Sequence, residues 1–225
     1  MDLTSIFPNV TERVYQEIVK STIETLTMTA ITAVIAGALG IALGVLLVIT
    51  RRGGILQNVF LYTVLDKLVN VFRSIPFLIL SMLIIPITRA LVGTTIGIPG
   101  AVVPLIFATV PFFSRQVQLA LLEVDAGVIE ASVAMGLTPL QIIFKVYLKE
   151  GLPSLIRAGS LTIISLIGLT TMAGAFGGGG LGNLAIARGY NRFQGDVMII
   201  TVVIILIIVF ICQAIGDFLE KATTK

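Results

Sequence analysis

The chain has 225 residues, 56% of them hydrophobic and only 12% charged, with a net charge of +3 and a mean hydropathy of +1.07. A soluble fold of this length has too little interior for so much apolar side chain, so the expected solvent is a bilayer and a soluble enzyme is excluded. The absence of His and the single cysteine, Cys212, inside an apolar run, argue against a disulfide framework, a Cys/His metal site or any bound cofactor.

Residues 1–20 carry Asp2, Glu12 and Glu17 and lack the basic start and apolar core of a signal peptide, so the first apolar run is expected to persist in the mature protein. Residues 10–24 mix charges with Val10, Val14, Ile18 and Val19, a spacing that fits an amphipathic helix lying at the interface or a helical extension of the first span. The expected division is an extracytoplasmic N-terminal segment, 1–24, followed by a transmembrane domain, 25–225.

A spanning helix needs about 20 apolar residues. Five runs meet that requirement: 25–50, 68–88 (with Pro76 and Pro86 inside it), 100–122, 153–175 and 197–216. The expected fold class is therefore all-α and polytopic, with five transmembrane helices. In the first run Gly40 and Gly44 form a GxxxG pair, which lets two helix backbones approach closely in lipid; the partner helix is open at this point.

Five spans put the termini on opposite sides. Arg51, Arg52, Lys67, Arg73, Arg115, Lys145, Lys149, Arg157, Lys221 and Lys225 fall on one side, and Arg13, Lys20, Arg89, Arg188 and Arg192 on the other. The positive-inside rule then places the N-terminus outside and the C-terminus in the cytoplasm.

The long connection 123–154 is organised as helix, sharp turn, helix. Asp125 suits an N-cap and Gly136 a left-handed C-terminal position. Thr138-Pro139-Leu140-Gln141 is a second helix start, with a capping box and Pro at the first helical position. The first helix is short and amphipathic, with Val128, Ala131 and Met135 apolar and Glu130 on another side. Such a helix either inserts into a groove on another protein, converting that partner's motion into helix tilt, or lies on its own bundle.

Catalytic chemistry finds no support. The glycine run Gly177 to Gly180, followed by Leu181-Gly182, lacks the Lys of a phosphate-binding loop. It fits either a flexible gate or hinge element, with Gly177, Gly179 and Gly182 as candidates, or a tight static turn. The predicted spans hold no pair of acids and no Ser–Lys pair for an intramembrane protease. They also lack the buried acids of ion-coupled transporters, Arg73 and Arg115 being expected to snorkel. Energy for transport would have to come from another subunit. Among the polar or soft residues of the spans (Thr109, Ser160, Thr162, Ser165, Thr170, Thr171 and Met172), Met172 is the pore candidate, being flexible and followed by small residues.

Glu130-Ala131-Ser132, then Gly136, then Val146-x-Leu148 resembles the EAA signature of permeases in binding-protein-dependent ABC importers, with Ser132, Val146 and Lys149 departing from the pattern. Residues 130–136, 141–146, 150–155, 172–175 and 179–182, and Phe72-Arg-Ser-Ile-Pro-Phe77, closely resemble the permeases of bacterial methionine importers, and the likeness covers nearly the whole chain. The resemblance implies a type I ABC importer fold in the bacterial inner membrane. It also implies a homodimeric permease with two ATPase subunits and a lipid-anchored or periplasmic substrate-binding protein, moving D- or L-methionine. It assigns Glu130, Ala131, Ser132, Met135 and Gly136 to ATPase coupling and puts the glycine run near the periplasmic gate. The alternatives are a permease of this architecture for another small solute, a self-sufficient channel or secondary transporter, and a non-transporting scaffold.

Overall fold

The computed structural model describes residues 8–223. The first seven residues of the expected N-terminal segment, and Lys225 of the charge count, lie outside them. The described residues are helical throughout, in the order α1 (Glu12–Thr50), α2 (Val59–Ser74), α3 (Phe77–Leu83), α4 (Ile85–Val92), α5 (Gly97–Leu122), α6 (Ala126–Ala134), α7 (Pro139–Ile142), α8 (Leu148–Glu150), α9 (Leu152–Ala173), α10 (Gly180–Leu184) and α11 (Gly195–Thr223). Wide turns of π type fill Ile143–Tyr147, Gly174–Gly178 and Ala185–Tyr190.

Four helices, α1, α5, α9 and α11, are long and apolar enough to cross a membrane. The run expected at 68–88 is instead divided among α2, α3 and α4, and both prolines explain why. Ile75, ahead of Pro76, is extended at φ −84°, ψ 122°, because the proline ring disfavours helical backbone in the residue before it. Pro86 sits in the first turn of α4, where its missing N–H is harmless. This fifth crossing is a broken helix, which membrane proteins tolerate where neighbouring protein covers the freed backbone.

Residues 12–24 continue into the first apolar run without a break, as one 39-residue helix. Along the helices Thr22, Thr27, Thr29, Thr50, Thr162 and Thr201 donate their hydroxyls to the carbonyl four residues back, the usual way for a threonine to satisfy itself in lipid.

The chain divides into two compact units. The first takes residues up to 34, Pro76–Phe107 and Ile163–Cys212; the second takes Ile35–Ile75, Ala108–Thr162 and the residues from Gln213 onward. In the first unit Val14, Ile18, Leu184 and Val197 form a small core. In the second, Val45, Val48 and Ile49 of α1 pack with Val117, Ala120 and Leu121 of α5 and with Ile142, Val146 and Tyr147. The GxxxG pair belongs to this contact. A Cβ at Gly40 would stand 2.6 Å from Phe113 Cδ1, and one at Gly44 would stand 2.6 Å from Val117 Cβ. The small-residue face of α1 is thus filled by α5 of the same subunit.

Arg115 lies in the last two turns of α5, with its side chain 17% exposed. It donates to Asp66 Oδ1 at 2.6 Å, Asn70 Oδ1 at 3.0 Å and Gln118 Oε1 at 2.6 Å. Asp66 belongs to α2, outside the run expected at 68–88, so Arg115 is held by an ion pair between α5 and α2. Arg73, in the last turn of α2, is exposed.

Candidate functional site

The expected coupling residues sit on α6 and its C-terminal turn. Asp125 caps the helix, its Oδ1 accepting from the N–H groups of Gly127 (2.7 Å) and Val128 (3.2 Å). The far end closes on Gly136, at φ +77°. The Gly136 N–H donates to the Val133 carbonyl at 2.9 Å and the Leu137 N–H to the Ser132 carbonyl at 3.2 Å, the paired bonds of a Schellman stop. A Cβ at Gly136 would meet nothing within 4 Å, so glycine is required there by backbone conformation and not by crowding.

Of the five candidates, Ser132 alone is buried, at 4% exposure. Its hydroxyl donates to the Val128 carbonyl at 2.7 Å, so it faces inward and is spent on its own helix. Glu130, Ala131, Met135 and Gly136 are exposed. Val128 and Val133 join them, and Met135 is 71% exposed. The following helix begins as the sequence dictates: Thr138 and Gln141 exchange the two capping-box bonds, at 2.9 and 3.4 Å, with Pro139 at the first position. Ile142, Ile143, Val146 and Tyr147 then dive into the core while Leu140 and Phe144 stay about two-thirds exposed. The result is an apolar knob rimmed by one carboxylate and anchored on a packed base. Leu140 and Phe144 were missed in the sequence, although their spacing of four residues puts them on one helix face.

The gate candidates are arranged differently. Gly177, Gly179 and Gly180 have φ of +83°, +85° and +74°, and Phe176 leaves helical geometry at φ −105°, ψ 22°. The segment folds back tightly on the end of α9. A Cβ at Gly182 would run into the backbone of Thr171, and one at Gly174 would stand 2.5 Å from Asn183 N. Two α1 side chains hold the far end of the glycine run. Glu24 Oε2 accepts from the Gly180 N–H at 2.7 Å, and Thr25 Oγ1 accepts from the Leu181 N–H at 2.8 Å. These contacts join residues 156 positions apart, and sequence reading passed over them. Met172 is 41% exposed near the end of α9.

Beyond this latch Arg188 meets Glu17 with two bonds, Nε to Oε2 at 2.5 Å and Nη2 to Oε1 at 2.7 Å. Glu17 precedes the uncharged part of α1. Its hydrogen bond with Arg188 holds the carboxyl below the usual carboxylate range, against the opposing pull of desolvation. Asn9 is likewise tied to Asp196, through its backbone N–H at 2.8 Å and its amide at 3.0 Å. Around the latch lies a polar depression of about 640 Å³ with Arg13, Lys20, Arg188 and Arg192 set against Glu17 and Glu24. A second cavity, of about 230 Å³, is bounded by α3, α4, the start of α5 and the kink after α9.

Residues 40–225 match the family described as "binding-protein-dependent transport system inner membrane component". The chain belongs to this family. Its members are membrane transport components rather than enzymes, and the family places the chain in the inner membrane. The Vibrio cholerae "probable D-methionine transport system permease protein MetI" is 46% identical over 201 residues, which is 89% of each chain. The Bacillus subtilis "methionine import system permease protein MetP" is 48% identical over 180 residues, 80% of this chain and 81% of that one. A solved chain from inward-facing conformations of the MetNI methionine ABC transporter superposes with a TM-score of 0.94 at 44% identity, covering 96% of this chain and all of the other. The permease fold expected from the sequence is therefore the observed one, its second crossing built from three short helices rather than one.

Proposed function

We propose that the chain is the pore-forming permease of an ATP-driven methionine importer. It works as a homodimer with two ATPase subunits, and a substrate-binding protein delivers the amino acid. The relatives' names support the substrate, and the exposed, capped knob of α6 supports the dependence on a motor. In this reading Glu130, Ala131, Met135 and Gly136 meet the ATPase, and Ser132 fixes the helix's orientation from behind. ATP-driven closure of the ATPase pair would pull on α6, and its packed base would pass the pull to α5 and α9.

Gly177, Gly179 and Gly182 act as the deformable gate, held shut by Glu24 and Thr25, with Met172 as a soft plug. The polar depression around Arg188 suits contact with the binding protein. The N-terminus lies outside and the C-terminus in the cytoplasm. The ten basic residues assigned to the inner side exceed the five opposite.

The observation that carries the reading is that a nine-residue helix capped at both ends presents its apolar and acidic side outward. The test is copurification with the ATPase in detergent, followed by uptake in liposomes. Wild type should retain the ATPase. Glu130→Lys should lose import by about tenfold or more, as expected for reversing a central interface charge, with no change in thermal midpoint because Glu130 is exposed. Normal ATPase retention and import by this variant would refute the coupling assignment. Flux through the chain without an ATPase would point to a self-sufficient channel.

A further inference from the structure

Five basic residues fall on the side assigned to the N-terminus, and four of them, Arg13, Lys20, Arg188 and Arg192, line one depression. They come from the start of α1 and from residues 188–192, which are far apart in the chain. The positive-inside rule disfavours basic residues on that side, so topology does not explain their gathering. The same depression holds two carboxylates, Glu17 and Glu24, which leaves a surplus of two positive charges. Both carboxylates are engaged elsewhere. Glu17 takes two bonds from Arg188, and Glu24 accepts from the Gly180 N–H. Arg13 and Lys20 hold them loosely, at 3.4 and 3.8 Å, with side chains 85% and 77% exposed. Arg192 is exposed as well.

Next to Arg192 the backbone is strained. Phe193 has φ +57°, the one non-glycine residue with positive φ among the described residues. A turn holds it there: the Phe193 N–H donates to the Tyr190 carbonyl and the Gln194 N–H to the Arg188 carbonyl, each at 3.3 Å. The turn presents its rings outward. Phe193 is 91% exposed, more than any other large apolar side chain among the described residues, and Tyr190 is 71% exposed. Strained backbone of this kind clusters at functional sites, and aromatic rings and arginines supply most of the binding energy at protein interfaces.

We propose that Arg13, Lys20 and Arg192, with Tyr190 and Phe193, form the docking surface for the substrate-binding protein, which meets it with carboxylates set around an apolar recess. The proposal deepens the contact inferred above and rests on the importer reading with the N-terminus outside. Exposed, loosely paired cations steer an acidic partner into register, and the recess takes the Phe193 ring. Anionic lipid headgroups would match the charge but not the side. On α1 the charged residues Arg13, Glu17, Lys20 and Glu24 recur at spacings of 4, 3 and 4, and the exposed apolar residues Tyr15, Val19, Ile23 and Leu26 at 4, 4 and 3. At about 100° per residue the two stripes lie about 130° apart. The apolar stripe runs on into exposed Val34 of the spanning run and so marks the side that meets lipid, from which the depression is turned away.

The test uses the transporter complex with its ATPase in nanodiscs, and reads the Kd of the purified substrate-binding protein at low and at high salt. The triple variant Arg13→Gln, Lys20→Gln, Arg192→Gln should weaken binding about tenfold or more at low salt and flatten its salt dependence, as for steering charges removed. Phe193→Asn keeps the left-handed backbone and removes the ring. It should weaken binding about tenfold at both salts, as for an interface anchor. Both variants should keep the wild-type thermal midpoint, because the altered side chains are exposed. Either variant binding as tightly as wild type overturns the proposal. Losses seen with anionic phospholipid in the nanodisc but absent with phosphatidylcholine alone assign the cations to lipid headgroups and overturn it as well. A wild-type complex that does not bind the substrate-binding protein removes the importer reading, and the proposal with it.

Discussion

Residues 125–151 and residues 174–190 both interrupt the series of long helices, and they do so by opposite means. The first segment is the more regular, with a single wide turn at Ile143–Tyr147. Its helices α6 and α7 are capped by Asp125, Thr138 and Gln141, α6 ends on one left-handed glycine, and the segment is seated on a core that includes Ile142, Val146 and Tyr147. The second is irregular. It has left-handed glycines at 177, 179 and 180 and two wide turns, and it is held by two side chains reaching from α1. The contrast suits the proposed roles: a part that receives force must not deform, whereas a part that opens must have a cheap second conformation. The glycines mark the same contrast. Gly136 has open space around it, while Gly182 has none.

That difference gives the largest expected effect. Gly182→Val places its Cβ against the Thr171 backbone, which cannot step aside as a flexible side chain would. The cost should reach about 3 kcal/mol or more, the upper end for overpacking, and appear as a lowered thermal midpoint with loss of import. A normal midpoint would show that the glycine segment repacks freely and would erase the contrast.

Gly136→Val comes next. No atom obstructs it, so its cost is that of a β-branched residue in left-handed backbone, about 1–2 kcal/mol. The penalty falls on the end of α6 rather than on the fold. Import should drop several-fold with little change in midpoint, and Gly136→Asn, which tolerates this conformation, should restore most of it. Equal loss in both variants would mean that Gly136 matters for contact space and not for ending the helix.

What could be read in the sequence follows the range of the interaction. The caps at Asp125 and Thr138, the stop at Gly136 and the left-handed glycines are decided within a few residues, and the chain spells them out. Pro76 and Pro86 are equally local, yet the apolar run 68–88 around them reads as one span. Their effect on the preceding residues, Ile75 above all, divides the crossing into three. Long-range partners were not legible. Arg115 gives no sign of its partner in sequence because Asp66 is 49 residues away, and nothing near Gly40 and Gly44 says that Phe113 and Val117 fill them. The Glu24 latch had a faint signal, an acid at the threshold of an uncharged run, but its ligand is a backbone N–H that no residue pattern can announce.

The smallest effect concerns the pair that flanks the glycine segment. The Glu17 carboxyl titrates below the ordinary value of 4.5 because Arg188 hydrogen-bonds its charged form. The stabilisation is therefore complete above the unfolded value and disappears as pH falls through the lower, folded one. The pair is partly exposed, with Glu17 at 34% and Arg188 at 13%, so solvent screening limits it to about 1 kcal/mol or less. Compared with Glu17→Gln, wild type should show a higher thermal midpoint from pH 7 down to about 5. The gap should begin to close near 4.5 and vanish at lower pH. It should also shrink in 1 M salt, as for any solvent-facing ion pair. Segment 125–151 gives the control: Glu130 is exposed, so Glu130→Gln should leave the thermal midpoint unchanged at pH 7. A pH-independent gap for Glu17→Gln would mean that Arg188 holds α1 by packing alone.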